Sequence, residues 1–252
     1  MCCFTRPVKR VSETNIFARM DKGNRQFLVY SMTLEAKQDL AMVLPIPVAR
    51  GSGEKAVHFI SLEKYPNFFE NVASAFPTRG TKSKLESLST AASTKRLEVV
   101  QVGSFEASFA PTVGDFERLD ERFRLSPNAF KQLPPLYRDF GFAVFKLKPG
   151  EHKVHPMAFS FPTALPSRLF FPTVHIHDGK VHDKARFDHV LYCQSTDALR
   201  LSHKDWEESE STAHKYVDIK KCEGVVEPNE HFYKQPVRGM LANTDRFAVA
   251  LA

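Results

Sequence analysis

The chain has 252 residues, 42% of them hydrophobic, with 22 Phe beside 6 Tyr and 1 Trp, enough to bury a sizeable core. No run approaches the ~18 apolar residues of a membrane span, and no charged, apolar, small-residue leader opens it, so a cytoplasmic protein with no transmembrane segment is expected. The formal charge of +6 lies in residues 1–100, with 15 Lys/Arg against 9 Asp/Glu, around a Ser/Thr/Lys-rich stretch that lacks the interleaved aromatics of a nucleic-acid face, so no specific nucleic-acid partner is expected.

Val11 to Phe17 and Arg25 to Met32 read as strands around the turn-rich Asp21-Lys-Gly-Asn24. In Leu40-Ala-Met-Val-Leu-Pro-Ile-Pro47 two prolines forbid a central strand beyond Leu44. Val57 to Ile60 is a short strand. Ser61 to Phe76 has Leu62, Tyr65, Phe69, Val72 and Phe76 at helical spacing and stops at Pro77. Residues 78–96 form a flexible Ser/Thr/Lys-rich loop, and Leu97 to Phe109 alternates as one or two strands. Asp115 to Phe123 reads as a helix, and Ser126-Pro127 caps another that ends near Leu133.

From Gly141 the pattern is β: Phe142 to Leu147, Met157 to Phe161, Leu169 to His177, Val181 to Phe187 and His189 to Gln194. His189 and Cys193 share a strand face with Phe187 and Leu191, so both belong to the core. Asp205 to Tyr216 reads as a short polar helix, and Phe232 to Ala252 has little clear period. The expected architecture is a single α+β domain over 1–252, mainly antiparallel sheet with a few packing helices. βαβ alternation is lacking, which argues against a doubly wound fold.

Four cysteines, Cys2, Cys3, Cys193 and Cys222, are too few and too scattered for a disulfide framework. Cys2 follows Met1 directly. Trimming of that methionine leaves a thiol and a free α-amine on one residue, titrating near ~8.5 and ~7.7–8.0, a pair suited to acyl transfer without a separate histidine. A second constellation is Val174-His-Ile-His-Asp-Gly-Lys-Val-His182. Asp178-Gly179 as a two-residue turn sets His175 opposite His182 and puts His175, His177 and His182 on one face. Three imidazoles there suit zinc or copper with an open position, or form the wet face of a hairpin.

Two resemblances follow from these residues. Cys2 and Asn15-Ile-Phe-Ala-Arg-Met-Asp21 resemble the opening of choloylglycine-hydrolase-like N-terminal nucleophile hydrolases. That resemblance implies Cys2 as nucleophile with Arg19 and Asp21 lining the site. It covers about twenty residues, and the downstream Asn and Arg motifs of that family are missing. Cys2-Cys3-Phe4, Leu40 to Pro47, Met157 to Phe161 and Leu169 to Val174 resemble a bacterial family of unknown function with a Trp-Val-Leu-Pro-Val-Pro-like segment. This second resemblance implies a fold relationship and no activity.

Three readings of function stand. The first is a Cys2-dependent hydrolase or acyl transferase acting on an amide or related bond of a small-molecule or peptide substrate. The second is a copper- or zinc-binding protein using Cys2/Cys3 with His175, His177 and His182. The third is a non-catalytic binding or scaffold protein.

Overall fold

The computed structural model describes residues 2–6, 8–77, 100–102, 105–119, 121, 124, 135–147, 150–176, 181–197, 199–202 and 204–250. Sixteen strands occur among them: β1 (Cys2–Phe4), β2 (Arg10–Met20), β3 (Arg25–Ala36), β4 (Leu40–Ile46), β5 (His58–Ser61), β6 (Val100–Val102), β7 (Phe105–Ala110) and β8 (Gly141–Leu147), then β9 (Gly150–Lys153), β10 (Met157–Pro162), β11 (Arg168–Phe171), β12 (His175–Ile176), β13 (Lys184–Cys193), β14 (Glu207–Thr212), β15 (His231–Ala242) and β16 (Arg246–Val249). One sheet runs β12-β1-β4-β8-β7-β6; a larger one runs β14-β15-β13-β2-β3-β10-β5, with β9 also on β3; β11 and β16 form a pair. Two pairings are parallel, β1 with β12 and β13 with β2.

The architecture is nearly all-β, and this corrects the expected α+β class. The one α-helix among the described residues is α1, Phe68–Ala73. Pro66 explains its shortness: a proline has no N–H to continue a helical ladder and keeps the residue before it, Tyr65, out of helical backbone. The periodic residues Leu62, Tyr65, Phe69, Val72 and Phe76 are all buried, as their spacing requires. The expected helix at 115–123 is, over Val113–Arg118, a 3-10 turn held by Asp115 Oδ2 accepting from Thr112 N (3.1 Å) and Oγ1 (2.8 Å). The expected helix at 205–216 is instead edge strand β14 followed by a 3-10 turn. Charged side chains suit an edge that must not pair further, and Glu207 meets Lys234 of β15 at 2.7 Å. The helix expected at 126–133 and the loop at 78–96 lie outside the described residues.

Side-chain alternation builds three cores from the two large sheets. Ile16, Ala18 and Met20 of β2, Leu28, Tyr30, Met32 and Leu34 of β3, and Met42 and Leu44 of β4 enter the central cluster between the sheets, with Phe145 and Phe159. Phe59, Phe145 and Phe159 pack edge-on or tilted at 5.7–6.2 Å. The opposite parity serves two outer layers. Phe17, Val29, Ala158 and Tyr192 meet α1 and the 213–232 segment, with Phe17 and Phe68 5.8 Å apart. Ala41, Val43, Phe142 and Val144 meet Phe116, Tyr137, Phe140 and Val174. Each fully buried Phe contributes about 2–3 kcal/mol by removal from water.

β4 shows how its prolines are accommodated. β8 follows it over its whole length to Ile46, whereas β1 pairs only with Met42 and Val43. From Leu44 on the strand therefore has one neighbour, and the missing N–H of Pro45 breaks no two-sided ladder.

Gly141 begins β8 against the Phe109 ring, where an added Cβ would lie 2.6 Å from Cε2 and 2.7 Å from Cζ. Gly141→Ala should lower stability by about 1–3 kcal/mol through overpacking, read as a shifted urea midpoint with an unchanged m-value. His155 stacks edge-on to Phe105 at 4.9 Å, and neither ring nitrogen makes a well-formed hydrogen bond. Burial pushes its pKa down despite the raising influence of its backbone neighbours and Glu63. The unfolded chain thus binds more protons than the native one below about pH 6.5, so stability is present above that value and is lost as pH falls toward the lowered native pKa. His155→Leu should flatten that acid limb and leave neutral-pH stability unchanged or raised, measured by denaturant titration on both sides of the window.

Candidate functional site

β1 lies between β12 and β4, with Cys2 aligned to His175 and Cys3 aligned to Ile176 and Val43. Cys3 is buried in the outer cluster with Ala41 and Val43. Cys193 is in the central core and Cys222 in the α1 layer. Burial pushes the Cys193 thiol well up and that of Cys222 to about 12, so both are inert at neutral pH.

β12 has only two residues, and side chains from the turn before β16 hold its backbone. Asn243 Oδ1 accepts from His175 N–H (2.8 Å), and its Nδ2 donates to the carbonyls of His175 and His182 (both 3.0 Å). Asp245 Oδ1 accepts from Thr173 N (2.8 Å) and Val174 N (3.0 Å), while its Oδ2 accepts from the Tyr137 hydroxyl. Residues 173–174 lie outside a ladder, so their N–H groups need such partners. Burial first, then the Asp245 charge, drives the Tyr137 pKa upward and keeps the phenol a donor.

The expected histidine hairpin is placed in part. His175 is half-buried, His182 is exposed and His177 lies outside the described residues. The imidazole that meets His175 belongs to β13: the Nε2 atoms of His175 and His189 are 3.1 Å apart, with ring centroids 4.8 Å apart. Phe187 stands 4.6 Å from the His175 ring. His189 is 1% exposed, as its alternation with Phe187 and Leu191 requires, and its Nδ1 lies 3.6 Å from Asp188 Oδ1. That spacing is electrostatic contact, not a formed hydrogen bond. Burial lowers the His189 pKa against the raising influence of Asp188, so the ring is neutral near pH 7. Burial works to raise the Asp188 pKa, but contact with His189 and the Glu13 N–H (2.8 Å) brings it below the usual range. Among the described residues no group of three or more His, Cys, Asp and Glu stands together as a metal cage.

Arg19 and Asp21 are not in the sheet that carries β1. Arg19, on β2, donates through Nε to Val225 O (2.6 Å) and through Nη2 to Gly224 O (2.5 Å), and its guanidinium lies 4.2 Å from the Phe27 ring centre. Desolvation lowers its pKa while Glu227 and Asp21 oppose that shift. Asp21 Oδ1 accepts from Gly23 N (2.9 Å) and Arg25 N (2.8 Å), closing the β2–β3 turn around Asn24, whose φ is 56°. On the same outer face an open groove of about 600 Å³ crosses Phe27, His58 and Ser160 between Lys64 and the Lys221–Gly224 turn.

Sequence reasoning placed His189 in the core and so missed it as the partner of His175. The usable signal was its parity with Phe187, which points it toward the six-stranded sheet. No helix of the described residues is long and apolar enough to cross a membrane.

No protein-family model matches the chain, and no curated protein sequence matches it. Solved structures do. Baculovirus P35 superimposes over 100% of both chains with a TM-score of 0.53 at 14% identity. A caspase-8/P35 complex matches over 96% of this chain and 97% of that one, with a TM-score of 0.50 at 10% identity. A mutated baculovirus P35 after caspase cleavage matches over 96% of this chain and 100% of that one, with a TM-score of 0.50 at 11% identity. These structures share the chain's fold from end to end, and none is of an N-terminal nucleophile hydrolase.

Asn243→Ala removes three bonds to largely buried backbone groups. It should cost about 1–3 kcal/mol and specifically speed hydrogen exchange at the His175 amide, read by mass spectrometry of fragments spanning β12.

Proposed function

We propose that this chain acts by binding a protein, a cysteine protease of the caspase class, and performs no chemistry of its own. The observation that carries this reading is the end-to-end likeness to P35, a protein captured in complex with caspase-8 and, in mutated form, after caspase cleavage. The match extends over both large sheets, not over one motif that many folds share. A sandwich of this kind supplies a rigid frame on which loops are presented, the usual division of labour in recognition proteins. Arg19 donates to the carbonyls of Gly224 and Val225, a tie between segments that fits a binding frame.

The test is direct. Purified chain and active caspase-8 are mixed and run through gel filtration, alongside a panel of other caspases. The proposal expects co-migration with at least one, a fall in its peptidase activity as the chain approaches one equivalent, and an intact-mass record of any cleavage of the chain. Absence of co-migration and of inhibition across the panel at micromolar concentrations would falsify it.

A further inference from the structure

We propose that His175 and His189 form the seat of a divalent transition-metal ion, zinc(II) or copper(II), bound through their two Nε2 atoms. The seat is independent of the protease reading and takes one of its two imidazoles from β13, not from the hairpin.

Geometry is the main argument. The two nitrogens are 3.1 Å apart. With metal–imidazole bonds of ~2.0–2.1 Å, that separation subtends about 100° at the ion, between the angles of square-planar and tetrahedral coordination. A linear two-coordinate copper(I) would need the nitrogens about twice that bond length apart, so this pair does not suit it. The ring planes are 30° from parallel, and the Phe187 ring centre lies 4.6 Å from the His175 ring and 5.3 Å from the His189 ring.

The second argument is the state of the rings. Asp188 Oδ1 lies 3.6 Å from Nδ1 of His189, which favours a proton on that nitrogen and leaves the lone pair on Nε2. A carboxylate behind a ligating histidine is the arrangement that fixes the tautomer and raises ligand basicity. Asp188 is itself held by the Glu13 N–H, at a residue whose φ of 54° is unusual for a non-glycine. Its negative charge also offsets part of the ion's charge.

The third argument is access. His189 is sealed, whereas His175 is half-buried, on two-residue β12. In the empty protein one Nε2 carries a proton shared with the other. An incoming ion displaces that proton while the same ring takes one up from solvent at Nδ1, so both imidazoles stay neutral, and water fills the remaining positions. Two protein donors make a weaker seat than a closed structural site.

The experiment uses the full chain without a histidine tag, titrated separately with zinc(II) and copper(II) against a chromophoric chelator, followed by X-ray absorption of the loaded wild-type protein. The expected result is one ion per chain with two imidazoles in its first shell. His175→Gln should weaken binding at least tenfold and Asp188→Asn by about 10–100-fold, while His182→Gln leaves it unchanged. Because His189 is in the core and its variant could misfold, the absorption spectrum of the wild-type protein tests that ligand directly. A spectrum without an imidazole pair, affinity unaltered by His175→Gln, or an equal loss on His182→Gln would each overturn the proposal.

Discussion

Burial of both faces of the central strands is the constraint on which the rest of this molecule depends. A strand sends alternate side chains to opposite sides, so β2, β3, β4 and β8 can be apolar at consecutive positions only if something covers each side. The two large sheets cover each other through the Phe59–Phe145–Phe159 cluster. Their outer faces then need separate lids. α1 and the 213–232 segment close one, and Phe116, Tyr137 and Phe140 close the other. The short helix and the 3-10 turns are thus consequences of the sheets, which is why so little helix is enough.

The same requirement explains the polar residues that lie deep in the structure. Where the chain leaves a ladder to form a lid, its backbone groups lose their partners and side chains replace them. Arg19 ties the 224–225 carbonyls to the end of β2, and Asn243 with Asp245 ties 173–175 to the turn before β16. Arginine and aspartate at these points read as chemistry in a linear sequence. In the fold they hold covering segments onto sheets. The parallel β1–β12 pairing belongs to this system, since β12 is short enough that Asn243 must hold it in place.

The P35 likeness and the imidazole pair lie at different levels of this organisation. The likeness concerns the frame as a whole, at 10–14% identity, and so reflects the placement of strands more than the choice of side chains. The imidazole pair concerns one point where the frame brings two sheets together. His175 rides on the six-stranded sheet and His189 on the eight-stranded one. Their contact is therefore a measure of how closely the sandwich closes beside the first strand.

Much of the strand content was legible, because short runs rich in aromatic and β-branched residues between turn signals, such as Arg25–Met32 and Phe142–Leu147, mark strands. The inward parity of His189 and Cys193 was legible from the strand face they share with Phe187 and Leu191. The class was not: the 61–76 and 115–123 stretches carry helical spacing of apolar residues, yet Pro66 and the Thr112–Asp115 cap leave only short turns, since packing against a sheet needs the apolar residues on one side and not a long helix. The roles of Arg19 and Asp21 were also beyond the sequence, because their partners are a loop more than two hundred residues away for one and the local turn for the other. By itself the sequence determined where many of the strands lie and which of their residues are buried. Only the tertiary structure decided which strands are neighbours, and so which histidine faces His175, because contact between distant strands depends on the closure of two sheets and has no local signature.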